Sequence, residues 1–486
     1  MLTEREDAYR VLLLWLKDGA FIKESGLPPF AMELALGVCR RHLYLEYFVK
    51  SLTKKLPSLE ARVILEMGLF QMFFMDVPDY AAINDSVELA KSANLGESIA
   101  RLVNAVLRTA RRQGAPALPP QRVRRVSIEN SVPEWLVRRW FDVYGGDRAE
   151  ALAKATLERP TEWIRVNLQK TSAPVLAEKL GITGSSILYD RYIEIPRDVG
   201  VKLLLATPEF VKGEFSFQNP SAYEVVKLLD LRPGLKVWDA CAAPGGKTAL
   251  MAEMDGSLEI LASDSSISRL EKMQDLMNRL GFKNIKTEVL DLAAVAQTAK
   301  LSELAASPTV SDTPLSSLTP SASDSKARSC QQVNLLSRHS PLSSLLSESR
   351  HVGSAMSPQA ASLRSPLSSF VSRLSSKFDR ILLDVPCSNM GVIARRPESV
   401  YRMTPESINE IAELQFKILE NASTALAPNG RLVYATCSPD PAETTRVIAR
   451  FLKAHPEFVK VGEPVLPGLK DSRLDGFYAQ ALEYKK

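Results

Sequence analysis

Histidine is nearly missing from this chain: His42, His339, His351 and His455 are the only four in 486 residues. None lies near the glycine pair at 245–246, so a hydrolase mechanism built on a histidine base there is not expected. Cysteine is scarce too. Cys39, Cys241, Cys330, Cys387 and Cys437 form an odd, scattered set with no C-x-x-C spacing. That argues against a disulfide framework and against a zinc site; it fits a reducing cytoplasm, and no metal is expected. Long apolar runs are also lacking, because charges interrupt each one before it reaches the length of a membrane span. The opening MLTEREDAYRVLLLWLKDG carries acids where a signal peptide has a basic region. Neither secretion nor membrane insertion is expected. The dinucleotide fingerprint G-x-G-x-x-G is absent as well.

What is present is ordinary in amount and uneven in distribution. The net charge is only +5, yet nine arginines between Arg101 and Arg139 stand against Glu129 and Glu134, a local excess of seven. Such a stretch is either a solvated surface or a phosphate-binding face. Apolar residues recur at three- and four-residue spacing up to about residue 113, which predicts an all-α domain over 1–125. FAMELALGVCRRHLYLEYFVKSL reads there as one helix. A small α+β connector is expected over 126–206; its Trp135 and Trp140 read as core anchors. From 207 to 486 strands and helices alternate regularly, which predicts a doubly wound α/β domain. That domain is interrupted at about 302–376, where 24 of 75 residues are serine, with six prolines and a single phenylalanine. This composition buries too little apolar surface to offset ordering entropy, so a disordered insertion is expected.

The chain is organised around Val237–Thr248, VWDACAAPGGKT. An apolar strand ends at Asp239, small or rigid residues turn, and ALMAEM opens a helix, which brings a ligand to the carboxyl edge of a parallel sheet. The ending Gly-Gly-Lys-Thr resembles a phosphate loop. However, Cys241 stands where that loop needs glycine, and Pro244 removes an N–H from the cradle. Small residues without phosphate chemistry suggest an adenosine ligand lacking a pyrophosphate, such as S-adenosylmethionine. Asp264, Asp291 and Asp384 then fall at three further strand ends, on the same edge. Two cysteines also end strands, in Asp384-Val385-Pro386-Cys387 and Thr436-Cys437-Ser438-Pro439. Beside such a turn they suggest thiolate chemistry on a pyrimidine. Carbon 5 of cytosine is too weak a nucleophile to accept a methyl group unaided. A thiolate adding to carbon 6 pushes electron density onto it, and a nearby acid holds the ring. Spacing alone does not decide which cysteine attacks.

The motifs DACAAPGGKT, DVPCSNMGVIARRPE and YATCSPDPAE closely resemble those of RNA 5-methylcytosine methyltransferases. The run Leu56–Arg108, especially AAINDSVELAK and LVNAVLR, resembles the NusB-like RNA-binding helical domain. Together they resemble the bacterial 16S rRNA type (RsmB/Sun, position-967 class). The resemblance implies a NusB-like helical bundle followed by a Rossmann-like class I methyltransferase domain. It implies Cys437 as nucleophile, Cys387 in product release and Asp384 in base orientation. It places S-adenosylmethionine on Cys241, Ala242, Ala243, Pro244, Gly245, Gly246, Lys247, Asp264, Asp291 and Asp384. It further implies a monomer acting on 16S rRNA, with no DNA partner and no membrane. Val385 and Asn389-Met390 depart from the commoner Asp-Ala-Pro-Cys-Ser pattern, and Gln218-Asn219 replaces a more usual Gln-Asp. The same chemistry on transfer RNA, and a non-catalytic NusB-like RNA-binding factor, stay open at this stage.

Overall fold

The computed structural model describes residues 2–294, 377–471 and 473–485. The serine-rich insertion expected at about 302–376, with Cys330, lies outside the described residues. The chain divides into two compact units. One comprises Met1–Glu162, Ser388–Thr404 and Pro467–Gly476; the other comprises Trp163–Cys387, Pro405–Leu466 and Phe477–Lys486.

The first unit is helical. Helix Leu59–Phe74 is its central element: Val63, Ile64, Leu65, Met67, Leu69 and Phe70 are buried, and Ser58 caps its start by accepting from Ala61 N–H. Burial around nearly the whole circumference marks a helix covered on every side. Its few buried polar groups are paired. Gln71 accepts from Arg5 at 2.8 Å, and Glu66 Oε2 lies 2.9 Å from His42 Nδ1. The run that reads as a single helix over 30–52 is two, Pro29–Arg40 and His42–Leu52, broken at Arg41 (φ −114°, ψ 16°). No proline marks the break. It is fixed by contacts with the central helix: Arg41 lies 4.1 Å over the Phe74 ring while His42 reaches Glu66. Helix Glu97–Gln113 buries Ala100, Val103, Val106, Leu107 and Ala110 on one stripe and carries arginines on the other side. Helices Arg122–Asn130, Glu134–Tyr144 and Gly146–Ala155 follow; Trp140 is buried among them and Trp135 is half-buried. Two later segments join this unit. Arg395 pairs with Asp475 (2.7 Å) and Glu162 (3.0 Å), and Gly476 N–H donates to Gly391 O.

The second unit contains two sheets. Strands β1 (Trp163–Val166), β2 (Ile187–Leu188), β3 (Tyr192–Glu194) and β4 (Phe215–Phe217) form an antiparallel sheet in the order β2-β3-β1-β4. The larger sheet holds β5 (Lys236–Asp239), β6 (Glu259–Asp264), β7 (Ile285–Val289), β8 (Phe378–Asp384), β9 (Leu426–Thr436), β10 (Phe458–Val465) and β11 (Tyr478–Tyr484). Its order is β10-β11-β9-β8-β5-β6-β7; β5 to β9 are parallel, and β11 and β10 close one side antiparallel. This is a doubly wound, Rossmann-like sheet whose strand order reverses at β5, the place where such sheets open a ligand crevice.

Successive residues of the parallel strands feed opposite cores. Val237, Leu382 and Val433 pack with helices Ser221–Lys227, Gly246–Met254 and Ile267–Leu280. Trp238, Ile381, Leu383, Leu432 and Tyr434 pack with Phe416, Leu419, Val447 and Phe451 of helices Pro405–Ser423 and Thr445–Ala454. Burial on both faces explains the almost wholly apolar strands. Truncating Leu382 to alanine in this setting costs about 2–5 kcal/mol.

Candidate active site

The turn after β5 is held by its neighbours. Ala240 N–H donates to Leu382 O of β8, and Ala242 N–H to Ser263 O of β6 (2.9 Å). Asp264 then fastens the turn from the side: its Oδ2 accepts from Ala243 N–H at 3.1 Å and its Oδ1 from Ser266 N–H at 3.0 Å. Arg269 closes over this carboxylate at 3.6 Å and donates to Ala243 O. Burial pushes the Asp264 carboxyl above its ordinary value, against the opposing pull of Arg269 and the backbone amides. Gly245 has φ +95°, and a Cβ there would meet Met273 Cγ at 2.6 Å and Met277 Cε at 2.8 Å. Only glycine satisfies both the backbone and the space. A buried arginine braces the turn from below. Arg165, on β1, donates to Gly246 O at 2.8 Å and to Gln218 Oε1 at 2.9 Å, and pairs with buried Glu253 at 3.2 Å.

The acids expected at strand ends do not have equal surroundings. Asp291 is exposed, and its Oδ1 accepts from Ala293 N–H at 2.9 Å. Asp384 is paired with Lys247 at 2.6 Å, and the ammonium also lies 4.5 Å from the centre of the Phe477 ring. A fourth acid, Asp239, is fully buried and accepts from Thr248 Oγ1 at 2.6 Å. Its Oδ1 has no partner among the described residues. Asp239, Asp264 and Asp384 thus lie around Cys241 beside a helix N-terminus, with one buried carboxylate oxygen without a partner among the described residues. That fits a ligand carrying positive charge, as S-adenosylmethionine does through its sulfonium and ammonium groups. Burial, with Asp264, Asp239 and Asp384 around it, pushes the Cys241 thiol well above its ordinary value. That direction disfavours a thiolate at Cys241.

The other two cysteines of this edge meet. Parallel β8 and β9 run in step, with Leu383 opposite Tyr434 and Asp384 opposite Ala435, and Val385 N–H donates to Ala435 O as the ladder ends. Both chains turn off immediately beyond. The sulfurs of Cys387 and Cys437 come into direct contact with Cα atoms 6.4 Å apart, within the span of a disulfide. Scattered spacing argues against a disulfide framework; strand adjacency nevertheless brings this one pair together across 50 residues of sequence. Cys39 and Cys241 are free. Sequence reasoning missed Asp239, Arg269, Arg165, Phe477 and the buried residues Gln415 and Glu443. Asp239 and Glu443 stand inside the motifs DACAAPGGKT and YATCSPDPAE, but nothing in the spacing marks their side chains as site residues; Arg269, Arg165, Phe477 and Gln415 have no such motif, and their partners lie on distant segments.

Three family models match in chain order. The NusB family matches residues 5–112, the ferredoxin-like domain of the RsmF/B-like methyltransferases matches 132–190, and the 16S rRNA methyltransferase RsmB/F model matches 226–339 and 357–471. A probable ribosomal RNA small subunit methyltransferase B of Bacillus subtilis is 28% identical, covering 99% of this chain and 96% of that protein. The ribosomal RNA small subunit methyltransferase B of Shewanella oneidensis is 28% identical over 92% of this chain and 88% of its own. Among solved structures, PH0851 superposes with a TM-score of 0.67 at 20% identity, covering 100% of this chain and 98% of that one. A methyltransferase homolog from Pyrococcus horikoshii gives 0.51 at 21% identity, over 76% of this chain and 100% of its own. With its helical head, its antiparallel sheet and its doubly wound domain each matched in order, the chain belongs to the 16S rRNA methyltransferase RsmB/F family.

Proposed function

We propose that this protein methylates carbon 5 of a cytosine in 16S ribosomal RNA, with Cys437 as the attacking thiolate. The observation that carries the reading is the meeting of Cys437 and Cys387 at the carboxyl edge of the sheet, three residues along the chain from the Asp384–Lys247 pair. The 241–247 turn with Asp264 and Asp291 would hold S-adenosylmethionine, which would supply an electrophilic methyl group. Cys437 forms a bond to carbon 6, and the electron pair of the 5,6 double bond becomes available at carbon 5. Asp384, paired with Lys247 at 2.6 Å, holds the base at its ring nitrogen and amino group. After methyl transfer the carbon-5 proton leaves to a base, the double bond re-forms and the bond to Cys437 breaks. Cys387, in contact with that sulfur, assists this release.

RNA is held in part by the helical head. On helix Glu97–Gln113, Arg101, Arg108 and Arg112 share one exposed stripe and pair with no carboxylate among the described residues. Other arginines of the stretch are already engaged: Arg111 with Asp79, Arg122 with Asp147 and Glu150, Arg125 with Glu150, Arg138 with Glu134. The stripe matches a phosphate backbone, whose contacts position an RNA without reading its sequence.

The test is direct. With unmethylated small-subunit RNA and labelled methyl donor, Cys437→Ala is expected to abolish transfer. Cys387→Ala is expected to accumulate a covalent RNA–protein adduct that resists denaturing gels. Normal turnover by Cys437→Ala sinks the mechanism, and label found only on transfer RNA sinks the substrate.

A further inference from the structure

We infer that Gln415 and Glu443 form a buried clasp that sets the distance between the two cysteine loops, and that both are positioning residues for methyl transfer. The inference rests on the assignment of Cys437 and Cys387 to the reaction. Gln415 lies on helix Pro405–Ser423 among Ile408, Phe416, Ile418 and Leu419, where its surroundings call for an apolar side chain. It is fully buried, as are Glu443, Tyr434 and Ser438.

Their hydrogen bonds run from one cysteine loop to the other. Gln415 Nε2 donates to Pro386 O at 2.9 Å and to Glu443 Oε2 at 3.2 Å. The other carboxylate oxygen, Glu443 Oε1, accepts from Ser438 Oγ at 2.6 Å. Pro386 immediately precedes Cys387, and Ser438 immediately follows Cys437. Each end of the clasp is therefore one peptide from a reacting sulfur.

The amide orientation is fixed by its partners. Both Nε2 protons face acceptors, a carbonyl and a carboxylate, while Gln415 Oε1 lies 3.1 Å from the Tyr434 hydroxyl. Reversing the amide would set an oxygen against two acceptors. The Tyr434 hydroxyl is also 2.7 Å from the carbonyl of Glu443, so it ties the clasp to β9. Burying these groups costs free energy that a leucine or methionine at position 415 would not incur. What the polar groups add is direction. Helix Pro405–Ser423 is connected to both loops at atoms next to the thiols, where the strand ladder has already ended. Attack by Cys437 and release assisted by Cys387 must both take place on one base, and an error of about 1 Å in such a site costs about 100-fold in rate.

The experiment uses the reduced full-length protein and two readouts. Gln415→Met keeps the shape and removes the bonds. It is expected to leave the affinities for S-adenosylmethionine and RNA unchanged while lowering the single-turnover methylation rate about 100-fold. Independently, diamide oxidation of the wild-type protein is expected to join Cys387 to Cys437, read by peptide mass spectrometry. In Gln415→Met, which removes all three of these bonds, that joining should slow about tenfold or more. Tyr434→Phe removes only a hydroxyl, and serves if Gln415→Met does not fold; both readouts should fall in the same direction. A folded variant with wild-type rate and wild-type crosslinking overturns the clasp. If the wild-type protein itself methylates no cytosine, the proposed function fails, and the crosslinking readout alone decides: slowed joining supports the clasp, unchanged joining overturns it.

Discussion

Asp239 offers a test of the buried acid beside the turn in which the sign of the effect is unusual. Its carboxyl is 1% exposed, accepts one hydrogen bond from Thr248 and leaves Oδ1 without a partner among the described residues. Burial, and to a lesser degree the neighbouring Asp384 and Asp264, push it from the ordinary 3.8 up to about 7. A folded value above the unfolded one means that, between these limits, the native state keeps a proton that the unfolded chain has released. Stability from this group is complete below about pH 4 and is lost as pH rises through 7, opposite to a salt-bridged carboxylate. The gap of about 3 pH units, at about 1.4 kcal/mol each, amounts to about 4 kcal/mol. Asp239→Asn cannot ionise and escapes the loss. Relative to wild type it is expected to gain about 4 kcal/mol between about pH 4 and pH 8, whatever fixed cost the amide brings. Urea unfolding across that range checks it, with Trp15, Trp135 and Trp140 replaced by phenylalanine so that Trp163 and Trp238 report the α/β unit. A stability difference that stays constant with pH refutes the reasoning.

Three further outcomes are expected. Gly245→Ala forces a side chain onto a φ of +95° and into Met273 and Met277; left-handed backbone alone costs about 1–2 kcal/mol. Titration calorimetry should show weakened S-adenosylmethionine binding, and wild-type affinity would remove the turn from the cofactor seat. Arg165→Met strands the buried Glu253 with Arg191 alone and should cost about 3–5 kcal/mol, most of it recovered in Arg165→Met/Glu253→Met. A double variant as unstable as the single one, by urea midpoint, dismisses the ion pair as the cause. Replacing Arg101, Arg108 and Arg112 by alanine should lower the salt dependence of RNA binding by about 2 to 3 in log–log slope. An unchanged slope in filter binding takes that stripe off the RNA face.

The fold was legible where local pattern decides it. Strand–helix alternation announced the doubly wound sheet, and Val237–Thr248 displays its strand, turn and helix start in one stretch. The break at Arg41 was not legible, since Phe74 and Glu66 fix it from more than twenty residues away. Arg165 was hidden for the same reason. Nothing in WIRVNL distinguishes a surface arginine from one whose guanidinium carries the carbonyl of Gly246 across 81 residues of sequence. The arginine-rich stretch was legible as charge but not as geometry. Ion pairs with Asp79, Asp147, Glu150 and Glu134 absorb part of it, and those acids lie mostly outside the stretch.

The candidate site divides along the same line. The turn of its cofactor half is contiguous, because a turn that admits a ligand must be built from consecutive small residues, and such residues show in a sequence. Its thiol half is made by adjacency: two strands 50 residues apart at their cysteines run parallel, in step, and end together. Two motifs that each end a strand can be read separately, but their meeting depends on β8 and β9 being neighbours. The clasp is further removed, since Gln415 contributes nothing that a helix-forming leucine would not, until Pro386 and Glu443 arrive on either side. Local pattern therefore suggests the ligand, strand order brings the two sulfurs together, and a buried polar side chain with no motif of its own links the two cysteine loops.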